Sequence, residues 1–488
     1  MKASLLLACR FVLLTIGLAA GPLLHAAEAT KPNFVIINVD DLGYADIGPF
    51  GSKLNRTPHL DRMAKEGMKF TSFYAAPVCS PSRAQLMTGS YFKRVSVNRV
   101  FFPGEAEGLA PSEITVAELL KEQGYATACI GKWHLGDQRG MLPTHQGFDY
   151  YYGIPYSNDM GPAIEGARSN LGDMPPEDKA DEKKRKAPKH PPLPLIRGDS
   201  ELVIRVKAQE QTELVERYTR ESIKFIERNK DKPFFLYLPH SSVHFPIYPG
   251  KNFAGKSPNG IYSDWVEETD WSVGQVLDKL RELKLEAKTL VIFTSDNGGT
   301  ARGKNTPLRG FKASTFEGGM RACTIAWWPG TVPAKESTDE ITGMIDILPT
   351  FAALAGGKLP TDRKLDGQDI TPLLTGKKDA KGHEKYFYYR AGSREGGTLE
   401  AVRSGQWKLE LKTGKLYDLK KDIEESKDVA EKNEETVKLL KAYADLARAD
   451  LGDGNTGPGC RPLGKAATAK PIMDQDGLLR KGFKAVGR

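Results

Sequence analysis

Two apolar runs, far apart in the chain, end in the same way. Phe34-Val35-Ile36-Ile37-Asn38-Val39 leads directly into Asp40-Asp41, and Thr289-Leu290-Val291-Ile292-Phe293-Thr294 leads into Ser295-Asp296-Asn297-Gly298-Gly299. Short continuous apolar runs are what a strand buried on both faces of a parallel sheet requires. Open α/β sheets bind ligands beyond the C-terminal ends of such strands. Two readings of the acidic pair follow: Asp41-Leu42-Gly43 as a plain turn, or Asp40 and Asp41 as half of an oxygen-donor site for Ca²⁺ or Mg²⁺. Asp296 and Asn297 offer the other half, and Gly298 and Gly299 let the backbone turn close to the ion.

Other predicted strand ends carry reactive side chains. The Tyr125–Ile130 run ends in Gly131-Lys132-Trp133-His134-Leu135-Gly136. A Lys and a His two apart there suit oxyanion binding and proton transfer. Phe234–Leu238 is followed by Pro239-His240-Ser241-Ser242-Val243-His244-Phe245-Pro246. Helices are expected from Thr57-Pro58 to Gly67, from the Thr115-Val116-Ala117-Glu118 capping box to Gly124, and over 208–229, 265–283 and 346–355. The charges of the 265–283 helix read as exposed. Cys79 precedes a further helix, with Ser80 as its N-cap and Pro81 at its first position. There, free N–H groups and the dipole favour an anion, and Arg83 points back from one turn on. The plainer reading makes Cys79 a small buried hydrophobe.

One parallel-type sheet brings Asp40, Asp41, Lys132, His134, His244, Asp296 and Asn297 to one edge, with the Cys79 helix facing the same hollow. After Gly367 short alternating runs at 386–389, 399–403, 407–411 and 416–419 predict an antiparallel meander, followed by a helix over 434–448 and an irregular tail from Gly452. The expected fold is α/β: a large mixed, mostly parallel sheet flanked by helices over 28–375, and a smaller antiparallel sheet plus helix over 376–488.

Residues 1–27 read as a signal peptide, with Lys2, an apolar Phe11–Ala20 run and small residues near Ala26. No later stretch is apolar enough to span a membrane, so the expectation is an exported protein, periplasmic or extracellular, without stable membrane insertion. The net charge of +8 fits an anionic substrate or a solvated surface and does not choose between them. Beyond the leader stand Cys79, Cys129, Cys323 and Cys460. Cys460 reads as either free or paired. Cys129 and Cys323 read as core. Residues 172–198, dense in Pro, Lys, Glu and Asp, read as a surface insertion.

The run Cys79-x-Pro81-x-Arg83, together with Gly131-Lys132-x-His134-Leu135-Gly136, His244-x-Pro246 and Lys312 before Glu317-Gly318-Gly319, resembles the type I sulfatase family. Gly153-Ile154-Pro155-Tyr156-Ser157-Asn158-Asp159 resembles a loop of its arylsulfatase A-like members, in which the serine touches sulfate. The resemblance implies hydrolysis of sulfate monoesters by a formylglycine made from Cys79. It also implies a Ca²⁺ held by Asp40, Asp41, Asp296, Asn297 and the modified Cys79. Arg83, Lys132 and Lys312 would offset charge on the transferring group. His244 with Lys312 would protonate the departing alcohol, and His134 would take a proton from the hydrate; Ser157, Lys132, His244 and Lys312 would contact the sulfate. His240 is expected at the rim, and Lys304, which lacks the following Glu-Gly-Gly, in solvent. The implied partners are a sulfated small molecule or glycan and a formylglycine-generating or sulfatase-maturing enzyme, with no nucleic acid. The alternatives are a phosphodiester or phosphonate hydrolase of the same superfamily, a catalytically silent sulfated-glycan-binding protein, and a cysteine hydrolase using the Cys79 thiolate. Specificity is expected in the rim loops 98–110, 159–197 and 383–397.

Overall fold

The two apolar runs lie side by side as parallel strands, Asn33–Val39 and Thr289–Ser295, paired from Asn33↔Thr289 to Val39↔Ser295. They stand near the middle of a 12-stranded sheet in a computed structural model that describes residues 31–173, 190–392 and 396–487. Phe234–Pro239 flanks Asn33–Val39 on the other side, and Ala126–Ile130 and Tyr150–Gly153 continue the parallel series. Antiparallel pairings follow on each side, Arg321–Trp327 and Met68–Tyr74 on one and Leu193–Arg197 and Glu201–Val206 on the other, before short parallel edge strands.

Alternate residues of the central strand serve opposite cores. Phe34 and Ile36 face one cluster, and Val35, Ile37 and Val39 the other, which is why the sequence shows no polar alternation. The first face is covered by Cys79–Thr88, Val116–Glu122 and Ile347–Ala355, with Phe34 stacked on Phe351 at 4.1 Å between ring centroids. Pro58–Glu66, Leu214–Arg228 and Ile261–Glu282 cover the second. Both halves of the Thr115/Glu118 capping box are formed.

The meander folds as Lys385–Arg390, Thr398–Ser404, Trp407–Glu410 and Leu416–Asp418 in sequential antiparallel order, backed by Glu434–Leu451. A buried carboxylate joins this sheet to the large one. Glu317 accepts from the hydroxyls of Tyr74 at 2.6 Å and Tyr388 at 2.8 Å, from Arg321 Nε at 2.7 Å and from Lys408 Nζ at 3.0 Å. Burial opposes its charge, but Lys408, Arg321 and Arg403 outweigh burial and hold the carboxyl well below its ordinary range.

Several expectations change. The helix at Cys79 is capped by Val78, not Ser80, whose hydroxyl is buried without a partner; Cys79 is therefore the first helical residue. The helix over 208–229 is broken into Ala208–Gln211 and Leu214–Arg228. The tail is not wholly irregular. Gly464–Lys465 pairs with Glu107–Gly108, and Lys484–Ala485 adds a parallel strand to Glu201–Val206. Two-residue pairings carry no period that a sequence can display. The acids of Ile261–Glu282 are not simply exposed: Asp264, Glu268 and Asp270 are buried. Asp264 accepts from the backbone N–H groups of Gly255, Lys256 and Ser257, Asp270 from those of His59 and Leu60, and Glu268 from Gly250. Loop N–H groups, and for Asp270 the first-turn N–H groups of the Pro58–Glu66 helix, explain their burial. The leader, 174–189 of the insertion and 393–395 of one rim loop lie outside the described residues.

Burial pushes the Glu268 carboxyl from an ordinary 4.5 up to about 8. A raised folded-state pKa contributes stability that is complete below the unfolded value and lost as pH rises through the folded one. The expected outcome is that Glu268→Gln flattens the fall in melting temperature between about pH 5 and pH 8, measured by thermal denaturation across that range. Glu317→Ala, which strands buried cations, is expected to lower unfolding free energy by about 3–5 kcal/mol, measured by denaturant titration.

Candidate active site

Asp40 and Asp41 follow the Asn33–Val39 strand, where side chains would ordinarily alternate between faces. Asp41 instead takes a left-handed backbone, φ 63°, a conformation Asp tolerates better than most residues. Both carboxylates consequently reach the same hollow. Asp41 N–H faces Asp296 Oδ1 at 3.3 Å, and Asn297 Nδ2 donates to Asp41 Oδ1 at 2.8 Å. The two strand ends, more than two hundred positions apart, thus share one cluster.

Cys79, 2% exposed, enters this cluster from the start of its ten-residue helix. Ligating atoms of Asp40, Cys79 and Asp296 lie within 4.8 Å of one another, as do those of Asp40, Asp41 and His244. Arg83 comes from the next turn, donating to Asp296 Oδ2 through Nε at 3.1 Å and Nη2 at 2.8 Å, and to the Lys132 carbonyl at 2.6 Å. Lys132 Nζ donates to Asp40 and, at 3.1 Å, to Ser157 Oγ. Lys312 Nζ lies 2.6 Å from Asp41 Oδ1. Its loop is tied down by Lys312 N–H to the Gly299 carbonyl at 3.1 Å and Ala313 N–H to the Pro77 carbonyl at 2.8 Å.

Three carboxylates therefore face three cations in a buried pocket. Burial alone would raise Asp40, but Lys132, His244 and Arg83 hold it well below the ordinary carboxylate range. Burial and the Asp40 charge push Asp296 up to about 6, against the pull of Arg83. Burial opposes the charge on Lys312, yet Asp41 keeps it protonated, with its pKa raised. The Cys79 thiol is pushed up by burial, despite Lys132 and Lys312, so the thiolate is disfavoured.

The histidines divide by their partners. His134 is buried, also with a left-handed backbone (φ 63°), and its Nε2 lies 3.1 Å from the Phe101 carbonyl while Nδ1 has no partner. A carbonyl accepts only, so Nε2 carries the proton and Nδ1 keeps its lone pair. Burial, Lys132 and Arg83 hold its pKa well below the ordinary value, and the ring is neutral. His244 places Nδ1 against the Asn158 side-chain carbonyl at 3.1 Å and the Phe245 carbonyl, and turns Nε2 toward Asp41 Oδ2 at 3.8 Å. Ser157 Oγ is 3.4 Å from the same ring.

All eleven residues singled out from the sequence lie at this edge: nine are linked by hydrogen bonds or ion pairs, Cys79 lies within 4.8 Å of Asp40 and Asp296, and His134 stands at the margin. His240 is not at the rim. It is fully buried, donates or accepts at Ser272 Oγ (3.0 Å), and is pushed down to about 3 by burial alone. Lys304 is exposed, as expected. Gly298 is needed for a close approach of backbone to backbone: a Cβ there would meet the Gly318 carbonyl at 1.8 Å. Sequence reasoning missed Asn158, which orients His244, and the Phe101 carbonyl, which orients His134. The first was legible as the neighbour of Ser157; a backbone acceptor leaves no sequence signal.

Two family models match the chain: "Sulfatase" over residues 32–357 and "N-sulphoglucosamine sulphohydrolase, C-terminal" over 311–448. N-acetylgalactosamine-6-sulfatase of Canis lupus familiaris is 37% identical over 418 residues, covering 82% of this chain and 75% of the relative. Arylsulfatase A of Bos taurus is 38% identical over 419 residues, covering 82% and 78%. Among solved structures, Ps i-CgsB in complex with k-i-k-neocarrahexaose superposes with a TM-score of 0.74 at 28% identity, covering 88% of this chain and 95% of that one. Matching models over most of its length, relatives above one-third identity and a common architecture make this chain a member of the type I sulfatase family, enzymes that hydrolyse sulfate esters.

Proposed function

We propose that this sulfatase acts on sulfate monoesters of carbohydrates, with Cys79 converted to formylglycine and a Ca²⁺ beside it. The observation that carries the proposal is the approach of Asp40, Cys79 and Asp296 to within 4.8 Å of one another. The names of the relatives support the substrate class: one is an N-acetylgalactosamine-6-sulfatase, and one solved neighbour was crystallised with k-i-k-neocarrahexaose.

The donors fit a hard cation. Asp40 Oδ1 and Asn297 Oδ1 are buried without hydrogen-bond partners, which is costly unless a positive charge completes them. Asp40, Asp41, Asp296, Asn297 and the Cys79 side chain would hold the ion, which supplies polarisation of the sulfate oxygens. Charge balance agrees, since the protein's own three cations and three carboxylates cancel. A divalent cation then leaves the pocket with a net positive charge, which suits the singly charged sulfate monoester. A hydrated aldehyde at Cys79 supplies the hydroxyl nucleophile. The raised pKa of the unmodified thiol weighs against a cysteine hydrolase.

In this reading Lys132, Ser157 and Lys312 bind the sulfate oxygens, and Arg83 fixes Asp296 and the Lys132 backbone. His244, with Lys312, holds the proton for the departing alcohol. His134 takes a proton at Nδ1, where its lone pair is free. Export of the chain and conversion by a sulfatase-maturing enzyme belong to the same proposal.

Mass analysis of the Cys79 peptide is expected to show one sulfur and two hydrogens replaced by one oxygen, and an unmodified cysteine in an active preparation would sink the mechanism. Chelation is expected to abolish hydrolysis of an aryl sulfate and lower the melting temperature, both restored by Ca²⁺. Asp296→Asn and Lys312→Ala are each expected to lower kcat by roughly 10²–10³. Faster turnover of a matched aryl phosphate diester than of the aryl sulfate would overturn the assignment of sulfate.

A further inference from the structure

One cation at the mouth has no task in the proposed chemistry. Arg302 follows the Asp296–Gly299 turn, is exposed, and forms no ion pair among the described residues. Its guanidinium carbon stands 4.7 Å from the centre of the Phe245 ring, and Phe245 is the residue next to His244. Stacking on an aromatic face holds a guanidinium plane while leaving its N–H fork free for a planar or tetrahedral oxyanion. Arg168, by contrast, is already paired with Asp159 at 3.4 Å.

Two exposed aromatic residues adjoin site residues along the chain. Phe311, 48% exposed, immediately precedes Lys312. Phe102, 43% exposed, follows the Phe101 carbonyl that faces His134, and its ring lies parallel to that of His190 with centroids 6.0 Å apart. Large apolar faces in solvent are otherwise unfavourable, and beside a polar site they suit the C–H faces of a sugar. The free guanidinium of Arg302, held on Phe245 beside His244, suits an anionic substituent on that sugar.

We propose that Arg302 is a specificity-determining residue that binds a second anionic substituent, sulfate or carboxylate, on the saccharide carrying the scissile sulfate. This rests on the sulfatase reading above. His244 and the Arg302–Phe245 pair are consecutive along the chain, with Cα atoms of residues 244 and 245 about 3.8 Å apart. The departing oxygen and the second anion are therefore recognised by neighbouring groups.

The test compares kcat/KM for three oligosaccharides of one backbone: monosulfated, with a second sulfate, and with a uronate. For wild type the dianionic substrates are expected to be preferred, the preference shrinking as salt rises. Arg302→Ala is expected to reduce that preference about threefold to tenfold, through KM rather than kcat. Arg302→Lys should restore part of it, and Lys304→Ala, which removes an exposed neighbouring charge, should leave it intact. Loss for only one of the two dianionic substrates identifies which substituent Arg302 binds. A preference unchanged by Arg302→Ala, or reduced equally by Lys304→Ala, overturns the inference. Turnover of an aryl sulfate with no Arg302-dependent preference sinks this inference alone; no turnover of any sulfate ester sinks the parent reading with it.

Discussion

Mutual neutralisation of buried charge is the constraint on which this molecule turns. Asp40, Asp41 and Asp296 are almost fully removed from water, and so are Arg83 and Lys132. Desolvating charges costs several kcal/mol per ion even when they are paired, and such groups are seldom net stabilisers. The cluster persists because the sheet around it is too extensively packed to relax. The rise in Asp296 and the fall in Asp40 are two faces of that crowding. A site in this state is prepared for a cation and an anion together.

Geometry comes from the strands, but the position of Lys312 depends on the smaller sheet as well. Lys312 sits five residues before Glu317, and Glu317 is gripped by Tyr74 of the large sheet and by Tyr388 and Lys408 of the small one. Gly318 N–H donates to the Arg309 carbonyl at 2.7 Å, closing the loop that carries Lys312. A residue of the proposed reacting centre is thus indexed to both sheets through one carboxylate. On the proposed mechanism the C-terminal meander bears on catalysis without any of its strands supplying a ligand.

Much of the centre was legible in the sequence because strand ends obey a simple rule. An apolar run followed by Asp-Asp, or by Asp-Asn, fixes both the element and the edge. What stayed hidden depends on partners distant in sequence. His240 is separated from His244 by three residues, yet one is core, bonded to Ser272, and the other faces the hollow. Asp264 and Glu268 recur at helical spacing like any solvated face, with Asp270 off that line, and their burial follows from N–H groups of loops and of the start of the Pro58–Glu66 helix that the sequence does not place beside them. Ser80 and Pro81 form a credible cap, but the helix starts earlier, since helix ends are set by context to within a residue or two. Substrate identity was not legible, because an exposed Arg or Phe has no pattern until the fold brings it to the mouth.

The returning tail has one more effect. Glu201–Val206 would otherwise be an outermost strand with unsatisfied backbone groups on its open side, a template for pairing with another molecule. Lys484–Ala485 occupies part of that side, with Lys484 N–H bonded to the Ser200 carbonyl and Val486 N–H to the Leu202 carbonyl. This short pairing thus acts as a selvage, hemming part of a raw border.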